Sequence, residues 1–250
     1  MGDASEAKQA WQTFRVENGF GPKAPILTPP ENNIKLVKAG KTGIAITYGL
    51  ALAQSNTSGV ANTCPFSTKA CRRACVALNG NGRYDSVGKA RSLKVKFLLA
   101  NPSAFYTLLA AEIDAAVAKF GSAVEVRLNT FSDLRHEEIA PWLFADRPTV
   151  RFYDYTKDWG RNPPANYHLT LSASERTTDD GIMLAVASGR NVAVVFSTKR
   201  TATLPTTFEG MTVVDGDASD ARWHDGSGVV VGLRAKGLMT SDPYGMVRAV

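Results

Sequence analysis

Only three cysteines and three histidines occur in 250 residues, and no apolar run approaches the ~18 residues of a membrane helix. The opening MGDASEAKQAW has neither the basic nor the apolar region of a signal peptide, and Glu6 breaks the myristoylation pattern. A cytoplasmic protein with no membrane partner is therefore expected, its thiols kept reduced. Clustered cysteines then point to metal binding or catalysis before disulfides. No G-x-G-x-x-G follows the early strands, so a dinucleotide-binding open sheet has no support. Gly40-Lys41-Thr42 ends like a phosphate loop, but Lys35 stands where that loop needs its first glycine. The Asn56-Thr57-Ser58 sequon has no use in a chain that is not exported. The net charge of +6 is scattered rather than gathered in a basic run. Nucleic acid is therefore not excluded, and an anionic small-molecule substrate is equally compatible.

What is present centres on Cys64, Cys71 and Cys75, spaced C-x6-C-x3-C. Four residues separate Cys71 from Cys75, which on a helix puts both on one face with Cβ atoms ~5–6 Å apart. Cys64 lies one loop earlier, behind Pro65, and Ser67 or Thr68 is placed to cap the helix. Three thiolates suit an iron–sulfur cluster better than a disulfide. Clusters normally take four cysteines, so three leave one iron open to a small ligand. Structural zinc, completed by one of His136, His168 or His224, and inert buried thiols are the alternatives. Arg72 and Arg73 flank the pair and would offset thiolate charge.

Along the chain, a short helix around Trp11–Val16 and a Pro/Gly-rich connector form an N-terminal arm over residues 1–40. Two strands at 33–38 and 43–48 suggest a hairpin. The cysteine loop and two helices, Asp85–Ala100 and Pro102–Phe120, fill 41–120, with Gly121 as the stop. From 121 to 250, apolar strands at 123–128, 149–154, 167–171, 191–197, 212–215 and 228–234 alternate with loops or helices, including His136–Phe144 and Thr178–Ser188. Val-rich β–α alternation predicts one α/β domain built as a partial or complete (β/α) barrel with mostly parallel strands. Polar residues follow the strands: Asn129, Ser132 and Asp133; Tyr155 and Lys157; Ser172 and Ser174; Arg234 and Lys236. In a barrel these converge at the C-terminal mouth. Each alone is also an ordinary loop residue. Lys157, Lys236 and Tyr155 are the catalytic candidates, because a buried lysine can serve as a base. Asn129, Ser132, Asp133, Ser172, Ser174 and Arg234 are the substrate-binding candidates.

The motifs TCPFSTKACRRACVA, RLNTFSDL, FYDYTK, YHLTLSASE, NVAVVF and VVVGLRAKG resemble a protein family encoded by actinobacterial tailed phages, from about residue 40 onward. The cysteine motif and the β–α alternation are in turn similar to radical S-adenosylmethionine enzymes, whose usual spacing is C-x3-C-x2-C. Those resemblances imply a host-cytoplasmic protein with a three-cysteine [4Fe-4S] cluster. The function expected is elimination of sulfide, water or ammonia from a small amino, hydroxy or thiol acid at the open iron. Radical chemistry with S-adenosylmethionine is one alternative, and a non-enzymatic metal-binding or redox-sensing regulator is the other.

Overall fold

Caps and apolar spacing set the helices. In this computed structural model, which describes residues 2–32, 36, 45–78 and 80–249, α1 (Ala4–Glu17) begins where the Asp3 carboxylate accepts the Ser5 N–H. It is longer than the sequence pattern suggests, and it belongs to the core. Trp11 is 2% exposed, packs 5.0 Å from the Phe97 ring, and donates its Nε1–H to the Ala24 carbonyl. The short α2 (Lys69–Arg73) follows the first long loop. Next come α3 (Asp85–Ala100) and α4 (Pro102–Phe120), separated by Asn101, with Pro102 opening α4 and Gly121 at φ 63° closing it.

The helix expected over His136–Phe144 is two helices, α5 (His136–Ile139) and α6 (Pro141–Ala145). Pro141 has no N–H and pushes Ala140 out of helical geometry, to φ −138° and ψ 67°. The last helix is α7 (Asp179–Ala187), capped by the Thr178 hydroxyl.

Among the described residues nine strands form one sheet: β1 (Leu27–Thr28), β2 (Ile46–Leu50), β3 (Val124–Arg127), β4 (Arg151–Thr156), β5 (Tyr167–Ser172), β6 (Val192–Phe196), β7 (Thr207–Phe208), β8 (Met211–Asp215) and β9 (Val230–Arg234). Their order is β1-β2-β3-β4-β5-β6-β9-β8-β7, and β2 through β6, β9 and β8 run parallel. The sheet is open, ending in the antiparallel strands β1 and β7, so a complete barrel is not what the chain builds. The hairpin expected across 33–48 falls largely outside the described residues. Its second strand overlaps β2, which pairs antiparallel with β1.

Period-two alternation gives the sheet two unlike faces. Val124, Val126, Leu128, Phe152, Tyr167 and Leu169 join α1, α3 and α4 in the larger apolar cluster, and Leu171, Val192, Val194, Phe196 and Val230 join α7 in a smaller one. The alternate residues, Thr47, Glu125, Arg127, Tyr153, Tyr155, His168 and Thr170, make the other face polar. Among the described residues, no helix is long and apolar enough to cross a membrane.

Candidate functional site

The loop that leaves β2 carries the cysteines across the C-terminal ends of β3, β4 and β5. Its attachment is specific. Asp133 N–H, after β3, donates to the Thr63 carbonyl at 2.8 Å, and Glu175, after β5, accepts from the Thr68 hydroxyl at 2.7 Å and the Ala70 N–H at 3.1 Å. Thr68 is the N-cap of α2, its hydroxyl accepting the Cys71 N–H at 3.2 Å. Helix α2 stops at Arg73, with Ala74 as its cap, so Cys75 sits just beyond the helix rather than on one face with Cys71. The turn after it is tightly packed: a Cβ on Gly82 would lie 2.0 Å from the Ala77 carbonyl oxygen, which also accepts from Arg91.

Each thiol is half-buried. Cys64 Sγ accepts the Ser55 N–H at 3.3 Å and lies 3.5 Å from the Phe131 carbonyl. Burial pushes its thiol up to about 11, partly offset by the Ser55 N–H and the Thr63 hydroxyl, while Cys71 and Cys75 act on it as neighbouring negative charges. Burial also raises Cys71; among the charges around it Lys157 acts most strongly and lowers it, Asp133 and Glu175 raise it, and Arg72 lowers it. Burial lowers the pKa of Arg91, Cys75 opposing that shift, and the guanidinium lies 4.0 Å from the Phe131 ring centroid.

Among the described residues, no three His, Cys, Asp or Glu side chains converge on a point suited to one metal ion. A zinc site would require that, since bonds of ~2.3 Å hold its sulfurs within about 4 Å of one another. A polynuclear cluster places its own atoms between the thiolates and so needs them farther apart. The donor chemistry fits such a group: three thiols on one loop within each other's electrostatic reach, one accepting a backbone N–H, with Lys157, Arg72 and Arg91 to offset negative charge.

The other residues predicted for the mouth separate into three groups. Lys157 is beside the cysteines; its Nζ donates to the Ala173 carbonyl at 3.0 Å, and it forms no ion pair among the described residues. Asn129, Ser132 and Asp133 build the loop itself. Ser132 donates to Asn129 Oδ1 at 2.8 Å, and Asn129 spans to the Leu134 N–H and carbonyl. Asp133 accepts from the Thr156 hydroxyl, the Lys157 N–H and Arg161 at 2.8, 2.8 and 3.3 Å. Arg161 continues to Glu137 and Tyr167, and Tyr167 to Asp154, so a buried charged network underlies the mouth. Ser172 lends its carbonyl to Trp159, and Ser174 shapes the turn into α7 through Arg176 N–H and Thr177.

Tyr155, Arg234 and Lys236 are elsewhere. Tyr155 points across the polar face to Asp220 at 3.5 Å, with Arg127 5.0 Å from its ring, and burial raises its pKa. Arg234 is bound to Asp215 and Asp217, and Lys236 to Asp217, so the electrostatics of these ion pairs, rather than a substrate, occupy them. They lie at the end of β9, four strands along the sheet from β3.

Two features went unread in the sequence. Residues 219–225 fold against the polar face, where Asp220 pairs with Arg127 at 2.6 Å, His224 with Glu125 at 3.1 Å, and Trp223 donates to the Phe152 carbonyl at 2.8 Å. Period-two placement of Glu125 and Arg127 inside an apolar strand was the signal available. The other is Glu175, which ends the SASE turn after β5 and anchors the cysteine loop. A cleft of about 770 Å³, lined by Arg151, Asn162, Asn166 and Trp223, opens at the beginnings of β4 and β5, away from the thiols.

The model of the family described as gene product 88 matches residues 27–248, and the chain belongs to that family, a phage-type family as the motifs led one to expect. No curated protein and no solved structure matches it. The likeness to radical S-adenosylmethionine and iron–sulfur enzymes receives no support from these comparisons.

Proposed function

We propose that this gene product 88 protein is an iron–sulfur lyase in which Cys64, Cys71 and Cys75 hold a [4Fe-4S] cluster with one iron free of protein ligand. The observation that carries the reading is the placement of the cysteine loop over the C-terminal ends of three parallel strands, with Lys157 the charge that acts most strongly on Cys71. When bound, the cluster supplies a Lewis acid that polarises the leaving group of a small amino, hydroxy or thiol acid.

The chain supplies the rest. Lys157 is bonded to a neutral carbonyl rather than a carboxylate, so no ion pair among the described residues ties its amine down. It is the group placed to take the proton next to the substrate's carboxylate. Asp133 holds the Lys157 backbone in place, and the Arg161–Glu137 pair beneath it keeps that carboxylate from moving. In this reading Lys236 is not the base and Arg234 not the carboxylate clamp, since both are engaged at β9.

Anaerobically prepared protein should release sulfide, ammonia or water from cysteine, serine or a small hydroxy acid without added reductant. Lys157→Arg tests the base directly, because a guanidinium keeps the charge but does not give up its proton. Turnover should vanish while the cluster spectrum persists; turnover retained in Lys157→Arg removes the base role.

A second reading, radical chemistry with S-adenosylmethionine, draws on one observation. Seven parallel strands advance along the sheet from β2, the cysteine loop follows the first of them, and the arrangement suits an incomplete barrel. Product formed only with S-adenosylmethionine and a strong reductant together would favour it over elimination.

A further inference from the structure

The +6 charge is not evenly spread, although no basic run marks it. Between Glu31 and Glu112 the chain carries eleven lysines and arginines and a single acid, Asp85, a net of +10 against −4 for the remainder. The segregation is made by leaving acids out. The cysteine loop lies inside this span.

Several arginines elsewhere in the fold are tied to carboxylates: Arg127 to Asp220, Arg147 to Asp114, Arg161 to Glu137, Arg234 to Asp215 and Arg248 to Asp179. Around the cysteines the pattern differs. Lys69, Arg72 and Arg73 are exposed, as is Arg176 beside Glu175, and none pairs with a carboxylate among the described residues. Arg72 uses one nitrogen on the Ser67 carbonyl, and Lys69 lies 5.7 Å from the Tyr244 ring. Glu175, which holds the loop beside them, has both oxygens bonded to it. An aromatic side chain is exposed on the same segment: Phe66 is 45% exposed, with the Arg135 guanidinium 5.8 Å from its ring centroid on one side.

We infer that this surface binds single-stranded nucleic acid, so that the cysteine site faces a polyanion with an unpaired base stacked on Phe66. Cations without carboxylate partners match phosphates, and the exposed ring of Phe66 matches a base face, which a duplex hides. The inference stands on the surface alone and is independent of the cluster reading.

The test is fluorescence anisotropy of the full chain with an end-labelled 20-nucleotide single strand and with its duplex, across a salt series. Four cations at about 0.7 each predict a slope of log K against log salt near −3. Lys69→Gln/Arg72→Gln/Arg73→Gln should bring the slope to about −1 and weaken binding about a hundredfold at ~0.1 M salt. Phe66→Ala should cost about tenfold for the single strand with the slope unchanged. Lys199→Gln/Arg200→Gln, an exposed basic pair beyond β6, should bind like the parent, and matching melting curves would show that all the variants fold. The inference is overturned by no saturable binding at low salt, by an equal loss in the control pair, or by duplex or polyglutamate competing as well as the single strand. Iron content, measured on the same samples, reports separately on the cluster.

Discussion

Truncating Asp133 to alanine removes the joint between the loop after β3 and the end of β4, while the backbone N–H at 133 keeps the Thr63 carbonyl of the cysteine loop. The residue is 8% exposed, and its carboxylate receives three donors, from the Thr156 hydroxyl, the Lys157 N–H and Arg161. Burial alone raises its pKa, and those donors lower it again. Arg161 keeps Glu137 and Tyr167 after the truncation, so it is not left as a bare buried charge. The loss falls mainly on Thr156 and Lys157, each stranded at ~1–3 kcal/mol. A total of about 3–4 kcal/mol follows, which for a chain of this size lowers Tm by about 10 °C. Thermal unfolding followed by circular dichroism measures it. A Thr156→Val partner completes a double-mutant cycle, where a coupling above ~1 kcal/mol is expected. A Tm within about 2 °C of the parent, or no coupling to Thr156, would refute the claim that Asp133 holds the mouth together.

Asp154 gives a pH signature. Its carboxyl, 0% exposed, is pushed up to about 7 by burial, so between pH ~4 and ~7 the folded protein keeps a proton that the unfolded chain has released. Stability should therefore decline as pH rises through that window, by up to about 4 kcal/mol, and Asp154→Asn should flatten the decline in urea unfolding; parallel curves for both proteins would contradict it. Cys64, with its thiol held near 11, should be about a thousandfold less ionised than not at pH ~8 in chelator-treated protein. Its alkylation by iodoacetamide should accelerate about tenfold per pH unit, and rapid labelling at neutral pH would show the thiol to be less buried than the structure has it.

Period and punctuation carried far in this chain. The strand at 228–234 and the helices Asp85–Ala100 and Pro102–Phe120 were legible because valine runs, apolar spacing, Pro102 and Gly121 all act locally. The split of His136–Phe144 was legible too, in Pro141, but helical spacing on either side outweighed it. Closure of the sheet is a property of strands that meet far apart in sequence, and length alone does not decide it. At the site, cysteine spacing located the loop, and strand ends located Asp133 and Lys157. Asn129, Ser132 and Asp133 were chemically plausible as ligands, yet their bonds turn inward, because a polar loop buried under another loop must satisfy its own donors and acceptors. The fates of Arg234 and Lys236 depended on Asp215 and Asp217, whose strand lies beside β9 only after folding.

The central claim is that the three cysteines hold a cluster, and iron with acid-labile sulfide on anaerobically purified protein tests it most directly. The account predicts brown protein with about four irons and four sulfides per chain, both lost in Cys64→Ser, Cys71→Ser and Cys75→Ser. Colourless protein containing zinc or no metal, after anaerobic reconstitution with iron and sulfide, would contradict it.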